Sequence, residues 1–486
     1  MTIVRSVPLF ALALAALASA QIPDARPLPG NRTFTSAAVD AQIEALQPQF
    51  IDADLGQLWA NCWPSTLDTT VWMYNDTDTF VITGDIQAMW LRDSTNQVLP
   101  YMAYVEQDEG LSAMVQNLVR RQTHSVLIDP YANAFQYNGS TPGEHQDDTV
   151  VPPMQWAVFE GKYELDSLAA FLKLSYAVYN ATGGTASCFD SKWEAAVGVA
   201  LDTIEAEQAG TLEEGANPTY SFERETTTAS DTLAQSGRGA SAKRCGLSKC
   251  GFRPSDDATT LPFLVPANAM AVVELRHLAE MAAATGRSAL AARATDLASS
   301  IDDALQLHAV MASGTCAKEG GSGAGDDDTI FAYEVDGFGS SLFMDDANVP
   351  SLLSLPYLGY LDASEPLYER TRAAVLSERN PFYFEGIDAQ DKTTHFTGVG
   401  SPHTGLNYIW PMSLIIRAIT SDDDDEIADC LDQLKVSSAG TGFMHESFYH
   451  TDPSEYSRSW FAWANSLFGE MVLKVAAERP HLILKQ

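Results

Sequence analysis

Apolar residues recur along this chain with a period near 3.6, in Ala- and Leu-rich segments, and runs that alternate with period 2 are few. The pattern predicts about a dozen helices, beginning near residues 37, 86, 110, 163, 190, 266, 287, 345, 364, 406, 422 and 458. Some successive helices are separated by only a few residues, at Gly286 and around Ser421, which makes each such pair antiparallel. Others are followed by long loops rich in Gly, Pro and aromatic residues. Helices in this number, paired as six hairpins, make an all-α toroid, the (α/α)6 barrel, with short links at one rim and long functional loops at the other. No linker or change of composition divides the chain after residue 20, so one domain is expected over residues 21–486. Residues 209–250, rich in Thr, Ser and Gly, read as an excursion within it.

The first twenty residues depart from this pattern. Arg5 precedes an apolar run from Leu9 to Leu17, and Ala18-Ser19-Ala20 before Gln21 is a small-residue cleavage signal, so residues 1–20 read as a secretory signal peptide. The run is too short to span a bilayer, and no later stretch of about 18 apolar residues appears. The expected mature protein is secreted and soluble, with the sequons at Asn31, Asn75, Asn138 and Asn180 available for glycosylation. In an exported chain the six cysteines, Cys62, Cys188, Cys245, Cys250, Cys316 and Cys430, are expected to form disulfides, and Cys245 and Cys250 could close a short loop by pairing with each other. No Cys-x-x-Cys pair points to zinc.

Charge narrows the partner. A net charge of −35 argues against nucleic acid and against an anionic membrane surface. The runs Asp326-Asp327-Asp328 and Asp422 to Glu426 lack the alternating ligands of a calcium loop and read as solvated surface.

Polar chemistry inside an apolar frame is concentrated between Ile82 and Tyr101. Gly84 and Asp85 read there as a turn and a helix N-cap. On the helix that follows, Met89 and Arg92, or Trp90 and Asp93, share a face. An indole, a guanidinium and a carboxylate lining one cavity suit a sugar ring, and the competing reading is an Arg–Asp pair bracing a core helix. Two acidic clusters lie far away in sequence. In Arg253-Pro254-Ser255-Asp256-Asp257, Ser255 can cap a helix with both aspartates in its first turn. In His445-Glu446, leading to Arg458-Ser459-Trp460, a glutamate stands among aromatic residues. Asp166, in the first turn of a predicted helix, and His403, in Ser401-Pro402-His403-Thr404-Gly405, add further polar groups.

Other chemistries lack their residues. Tyr449 stands where a zinc protease needs its second histidine, no Gly-x-Ser-x-Gly elbow occurs, and no phosphate-binding glycine loop is present. Paired carboxylates, abundant aromatics and a helical toroid fit glycoside hydrolysis by two carboxyl groups. Asp256, Asp257 and Glu446 are the acid and base candidates. Asp85, Trp90, Arg92, Asp93, Asp166, Arg253, His403, His445 and Trp460 are the candidates for holding sugar.

Six segments carry a resemblance: Thr83 to Pro100, Asp129 to Phe135, Phe252 to Ala258, Met344 to Ser351, Ser401 to Gly405 and Met444 to Glu470. They resemble glycoside hydrolase family 125, in order and across nearly the whole mature chain. The resemblance implies an (α/α)6 barrel and a metal-independent, cofactor-free, exo-acting α-mannosidase, typically on α-1,6-linked mannoside glycans. By motif it implies Glu446 as general base, Asp256 or Asp257 as general acid, and Arg92 and Asp93 as holders of the terminal mannose. A non-catalytic mannoside-binding protein and a different (α/α)6 glycosidase are the alternatives. Segments Cys245 to Cys250 and Cys316 to Asp328 look like insertions relative to shorter bacterial members.

Overall fold

The computed structural model describes residues 22–137, 145–313 and 329–485. Residues 1–20, expected to be a signal peptide, Asn138, Cys316, Asp326 to Asp328 and the side chain of Asn75 lie outside the described residues. Twelve α-helices of eight or more residues are present among the described residues. They are α1 Ala37–Leu46, α2 Ala53–Cys62, α3 Leu91–Val98, α4 Glu109–Ile128, α5 Leu165–Ala181 and α6 Ser191–Ala206. The second half of the chain adds α7 Val265–Ala284, α8 Ser288–His308, α9 Pro366–Val375, α10 Pro411–Ile419, α11 Asp424–Ser437 and α12 Ala462–Glu478. The protein is thus mostly helical, as the 3.6 period predicts.

Local chemistry sets most of the helix ends. The carboxylates of Asp52, Asp108, Asp190 and Asp423 accept from backbone N–H groups in the first turns of α2, α4, α6 and α11. Each such cap is worth about 1 kcal/mol. Helix α7 stops where Gly286 takes a positive φ of 77°, with the Arg287 N–H donating back to the Ala282 carbonyl, and α8 begins two residues later. Buried helices pack in the neighbour order α7, α5, α3, α12, α10. Helices α4, α6, α8 and α11 lie against α5, α4, α7 and α10 in turn. One continuous apolar core runs from Ile22 to Ile483 and includes the stacked Trp59 and Trp63, whose ring centroids are 5.2 Å apart.

Three expectations are corrected. The helix expected from residue 86 begins only at Leu91, because Met89–Trp90 pairs as a short strand with Ala134–Phe135, which pairs in turn with Val158–Glu160. The helix expected near 345 is a run of turns. There the Asp345 carboxylate captures the N–H groups of Leu352 and Leu353 at 2.8 and 3.0 Å, and Pro350 and Pro356 interrupt the backbone ladder. The five described cysteines are free, and Cys245 and Cys250 do not pair. The Cys250 thiol is turned inward, donating to the Phe252 carbonyl at 2.8 Å and accepting from the Leu165 N–H at 3.3 Å, while Cys245 stays half-buried near Gly337.

Helix α2 is absent from the expected set, although Leu55, Leu58, Trp59 and Cys62 fall at i, i+3, i+4 and i+7 and are all buried. Gly469 of α12 lets that helix approach closely: a Cβ there would sit 2.5 Å from Cδ1 of Trp63. Gly469→Ala is expected to destabilise the protein by about 1–3 kcal/mol. Gly198→Ala, in α6 with no atom within 4 Å of the added carbon, is expected to stabilise it by about 0.4–1 kcal/mol. Denaturant unfolding of the two variants reads the opposite signs.

Candidate active site

Loops at one end of the helices enclose a cavity of about 400 Å³. Its apolar walls are Trp90, Phe159, Trp410, Phe461 and Trp463, and its polar groups include Arg92, Asp93, Asp256, His403, Glu446 and Arg458. Trp90 meets Phe159 edge-on with centroids 5.5 Å apart, so two aromatic planes are fixed on one side.

Arg92 is the hub. It lies in the first turn of α3 and is 2% exposed. Its Nη1 donates to Glu164 Oε2 and, at 3.1 Å, to Asp166 Oδ2. Its Nη2 donates to Asp256 Oδ1 at 3.2 Å, its Nε stands 3.6 Å from Asp93 Oδ2, and its guanidinium lies 5.7 Å from the Trp463 ring centroid. Glu164 is the residue immediately before α5 and Asp166 its second residue, so the start of one helix delivers two carboxyls to the guanidinium of another. Burial pushes the Glu164 carboxyl well above the ordinary range; Arg92 opposes the shift, and Asp256 and Asp166 add to it. Burial likewise raises Asp166 against the pull of Arg92, and raises Asp93 to about 6.

Asp256 is presented by an irregular loop. The expected helix capped by Ser255 does not form: the Ser255 hydroxyl donates to Asp346 Oδ2 at 2.7 Å, and the loop closes on itself through Arg253 N–H to Asp257 O at 2.7 Å and Asp256 N–H to Arg253 O at 2.8 Å. Asp256 takes φ 68°, a left-handed conformation that aspartate tolerates better than most residues, and this turns its carboxyl into the cavity while Asp257 faces away. Asp256 Oδ1 accepts from Trp90 Nε1, Arg92 Nη2 and Asn133 Nδ2 at 3.2, 3.2 and 3.1 Å. Burial works to raise this carboxyl, but Arg92, with Glu164 and Lys162 nearby, outweighs it and holds it well below the ordinary range. Asp257 is 4% exposed and stands 3.6 Å from His403 Nδ1. Burial works to lower His403, but Asp257, with Glu446 and Asp256 nearby, pushes it up to about 9, so the ring is cationic at neutral pH.

Glu446 lines the same cavity, from the loop before the strand Phe448–Tyr449. Its Oε2 accepts from Ser457 Oγ at 2.7 Å and its Oε1 from Arg458 Nη1 at 3.3 Å. Arg458 is held in turn by a two-point pair with Asp85 at 2.5 and 2.9 Å.

Six of the sequence candidates therefore line one cavity: Trp90, Arg92, Asp93, Asp256, His403 and Glu446. Six lie outside it. Asp166 and Asp257 stand behind cavity residues, and Asp85 positions Arg458. Arg253 is buried in a pair with Glu334 at 2.7 Å, stacked over Tyr333, and braces the Asp256 loop. His445 is stacked on Tyr456 at 3.8 Å with both ring nitrogens facing carbonyl oxygens. The Trp460 ring covers Gly84, where a Cβ would stand 2.7 Å from it. Glu164, Asn133, Lys162 and Glu160 are the residues that sequence reasoning misses. Asn133 falls inside a segment that carries the family resemblance and Glu164 outside all six, and neither sits at a helical position that marks it out.

A family model described as metal-independent alpha-mannosidase (GH125) matches residues 52–473. The Schizosaccharomyces pombe protein named meiotically up-regulated gene 157 protein is 43% identical over 482 residues, spanning 96% of this chain and 91% of its own length. A Streptococcus pneumoniae protein, solved in a non-productive complex with α-1,6-mannobiose and described within a family of metal-independent alpha mannosidases, is 37% identical. That match covers 92% of this chain and 100% of the other, with a TM-score of 0.82. A rhamnosidase of family GH78 from Bacillus sp. GL1 shares the fold over 88% of this chain and 35% of its own, with 13% identity and a TM-score of 0.50.

The hub sets two expectations. Arg92→Met leaves Glu164 and Asp166 buried without their cation and should lower the unfolding free energy by about 3–5 kcal/mol in urea titrations; a loss under about 1 kcal/mol would mean that both carboxyls are already neutral. Asp93 is raised from 3.8 to about 6, so the folded chain holds this proton more tightly than the unfolded one. Its contribution to stability is fully present below pH 3.8 and is lost as pH rises through about 6. Asp93→Asn should remove about 1–3 kcal/mol of that fall, read by unfolding the variant and the parent on both sides of the window.

Proposed function

The chain belongs to the metal-independent α-mannosidases of family GH125 and is a glycoside hydrolase, and from that premise we propose that it releases single terminal mannose residues from α-1,6-linked mannosides with inversion at the anomeric carbon. The observation that carries the reading is the pair of carboxyls, Asp256 and Glu446, brought into one cavity by loops almost two hundred residues apart. Glu446, oriented by Ser457 and Arg458, takes a proton from the attacking water. Asp256 gives a proton to the leaving oxygen; it is chosen over Asp257 because it lines the cavity and its Oδ2 takes no donor from the described residues. Inversion asks for a separation of about 6.5–9.5 Å between the two carboxyls, enough for a water.

Arg92 and Asp93, almost wholly buried and backed by Glu164 and Asp166, make a closed floor suited to a terminal sugar. That supports exo action. Trp90, Trp410 and Phe461 offer flat faces to the ring, as binding of a neutral glycan requires. We take the twelve helices to close as an (α/α)6 barrel; their number and the neighbour order α7, α5, α3, α12, α10 support this. Residues 1–20 support export, and Asn31 and Asn180 are exposed where glycan could be added.

Proton NMR of the purified protein on α-1,6-mannobiose, with EDTA present, tests the reading. Release of β-mannose is expected, with turnover lowered about 10²–10⁴-fold in Glu446→Gln. Release of α-mannose would replace inversion by retention, and no release from any mannobiose would reject this substrate class.

A further inference from the structure

Two carboxyls at the hub, Glu164 and Asp256, share their partners. Asn133 Nδ2 donates to Glu164 Oε1 at 3.0 Å and to Asp256 Oδ1 at 3.1 Å, and the two Nη atoms of Arg92 divide between the same residues. The two carboxyls thus stand on one amide and one guanidinium, and two like charges gathered there favour a proton on one of them. We propose that Glu164 and Asp256 hold one proton in common, and that Glu164 is the store from which Asp256 is charged before it protonates the leaving oxygen. The inference rests on the assignment of Asp256 as general acid given above.

The two environments differ in the way such a store needs. The Glu164 side chain is wholly buried, its Oε2 takes a further hydrogen bond from Ser167 Oγ at 3.0 Å, and Asp166 stands on the same guanidinium. The Asp256 side chain is 25% exposed and faces the cavity. At rest the proton therefore belongs on Glu164, and Asp256 carries the charge against Arg92, Trp90 and Asn133. Glu160 also takes the Asn133 amide at 3.2 Å, while Lys162 and His403 face Asp256. Cys250 and Tyr220, close to Glu164, are pushed well above their ordinary ranges by burial and stay neutral.

A mannoside that fills the cavity strips water from Asp256 but not from Glu164, which has none. The balance then moves. The O–H bond of Glu164 breaks as one forms on Asp256, and the new Glu164 carboxylate rests on Arg92 Nη1. The Asp256 O–H bond next breaks as the proton passes to the aglycone oxygen and the glycosidic C–O bond opens, while Glu446 accepts a proton from the attacking water. After product leaves, Glu446 releases its proton to solvent, and a solvent proton enters at Asp256 and returns to Glu164. Glu164 touches no substrate; it is a positioning residue acting through Asp256.

The test compares Glu164→Gln and Asp256→Asn with the parent on α-1,6-mannobiose, whose leaving group needs a proton, and on a dinitrophenyl α-mannoside, whose leaving group does not. Glu164→Gln is expected to lose about 10²-fold in kcat on the disaccharide and under about 3-fold on the aryl mannoside. The high-pH limb of its kcat/KM profile on the disaccharide is expected to move to lower pH, because Asp256 no longer has a reserve proton. Equal losses on both substrates with an unmoved limb would reduce Glu164 to a structural residue and overturn the proposal. Glu164→Asp, which withdraws the carboxyl by one methylene, is expected to move the same limb in the same direction, and an unmoved limb in either folded variant overturns it. Asp256→Asn separates the two levels: if that variant loses equally on both substrates, the acid assignment itself fails.

Discussion

One buried guanidinium serves more carboxyls than it can neutralise. Arg92 faces Asp93, Glu164, Asp166 and Asp256, and four ionised carboxylates around a single cation in a water-poor site would be strongly unfavourable. The arrangement stands only if protons are retained, and burial raises Glu164, Asp166 and Asp93 while Asp256 alone is held down. Much of the local structure is in service of this cluster. The first turn of α3 carries Arg92, the start of α5 carries two of its partners, and the Met89–Trp90 strand ties both to Ala134–Phe135 and so to Asn133. The left-handed backbone at Asp256, a conformation that costs of order 1–2 kcal/mol, is held by the closed loop and by three donors on one carboxylate oxygen.

The surroundings of Glu446 are built on the reverse principle. Glu446 meets a hydroxyl and one guanidinium that is itself already paired with Asp85. His445 and Trp460, its sequence neighbours in the motif, support it from outside the cavity by stacking on Tyr456 and covering Gly84. Under the proposed mechanism the acid stands among carboxyls that can supply it with a proton and the base among a hydroxyl and a cationic donor, an asymmetry that two-carboxylate catalysis uses. The two environments come from segments distant in sequence.

How much of this the sequence reveals depends on the kind of signal. Helix content and the short links at Gly286 and Ser421 follow from periodicity and capping, and those are local. The start of α3 is misplaced because strand pairing between Met89–Trp90 and Ala134–Phe135 is a tertiary contact that no window of sequence contains. Ser255 reads as a cap because capping is what a serine before two aspartates does locally, yet its hydroxyl is taken by Asp346, ninety-one residues away. Arg253 and His445 are misread as sugar ligands for the same reason: a charged or polar residue inside a motif is visible, but whether it faces the cavity or braces the loop behind it is decided by Glu334 and Tyr456. Glu164 is overlooked because its importance is relational and exists only once Arg92 and Asp256 are beside it.

The strongly acidic balance of the chain fits the chemistry of the cavity. The cations that line it, Arg92, Lys162, His403 and Arg458, are each engaged by carboxylates of the protein itself. None is left over to attract an anion. A neutral glycan needs no such attraction, and directional hydrogen bonds and aromatic ring faces suffice to hold one. Because a neutral ligand brings no charge of its own, what it changes on entering is chiefly the water around Asp256 and Glu446. Under the proposed mechanism the protonation of Asp256 is set by the protein and adjusted by desolvation, which places control of the reaction in the network around Arg92 and not in contacts to the sugar.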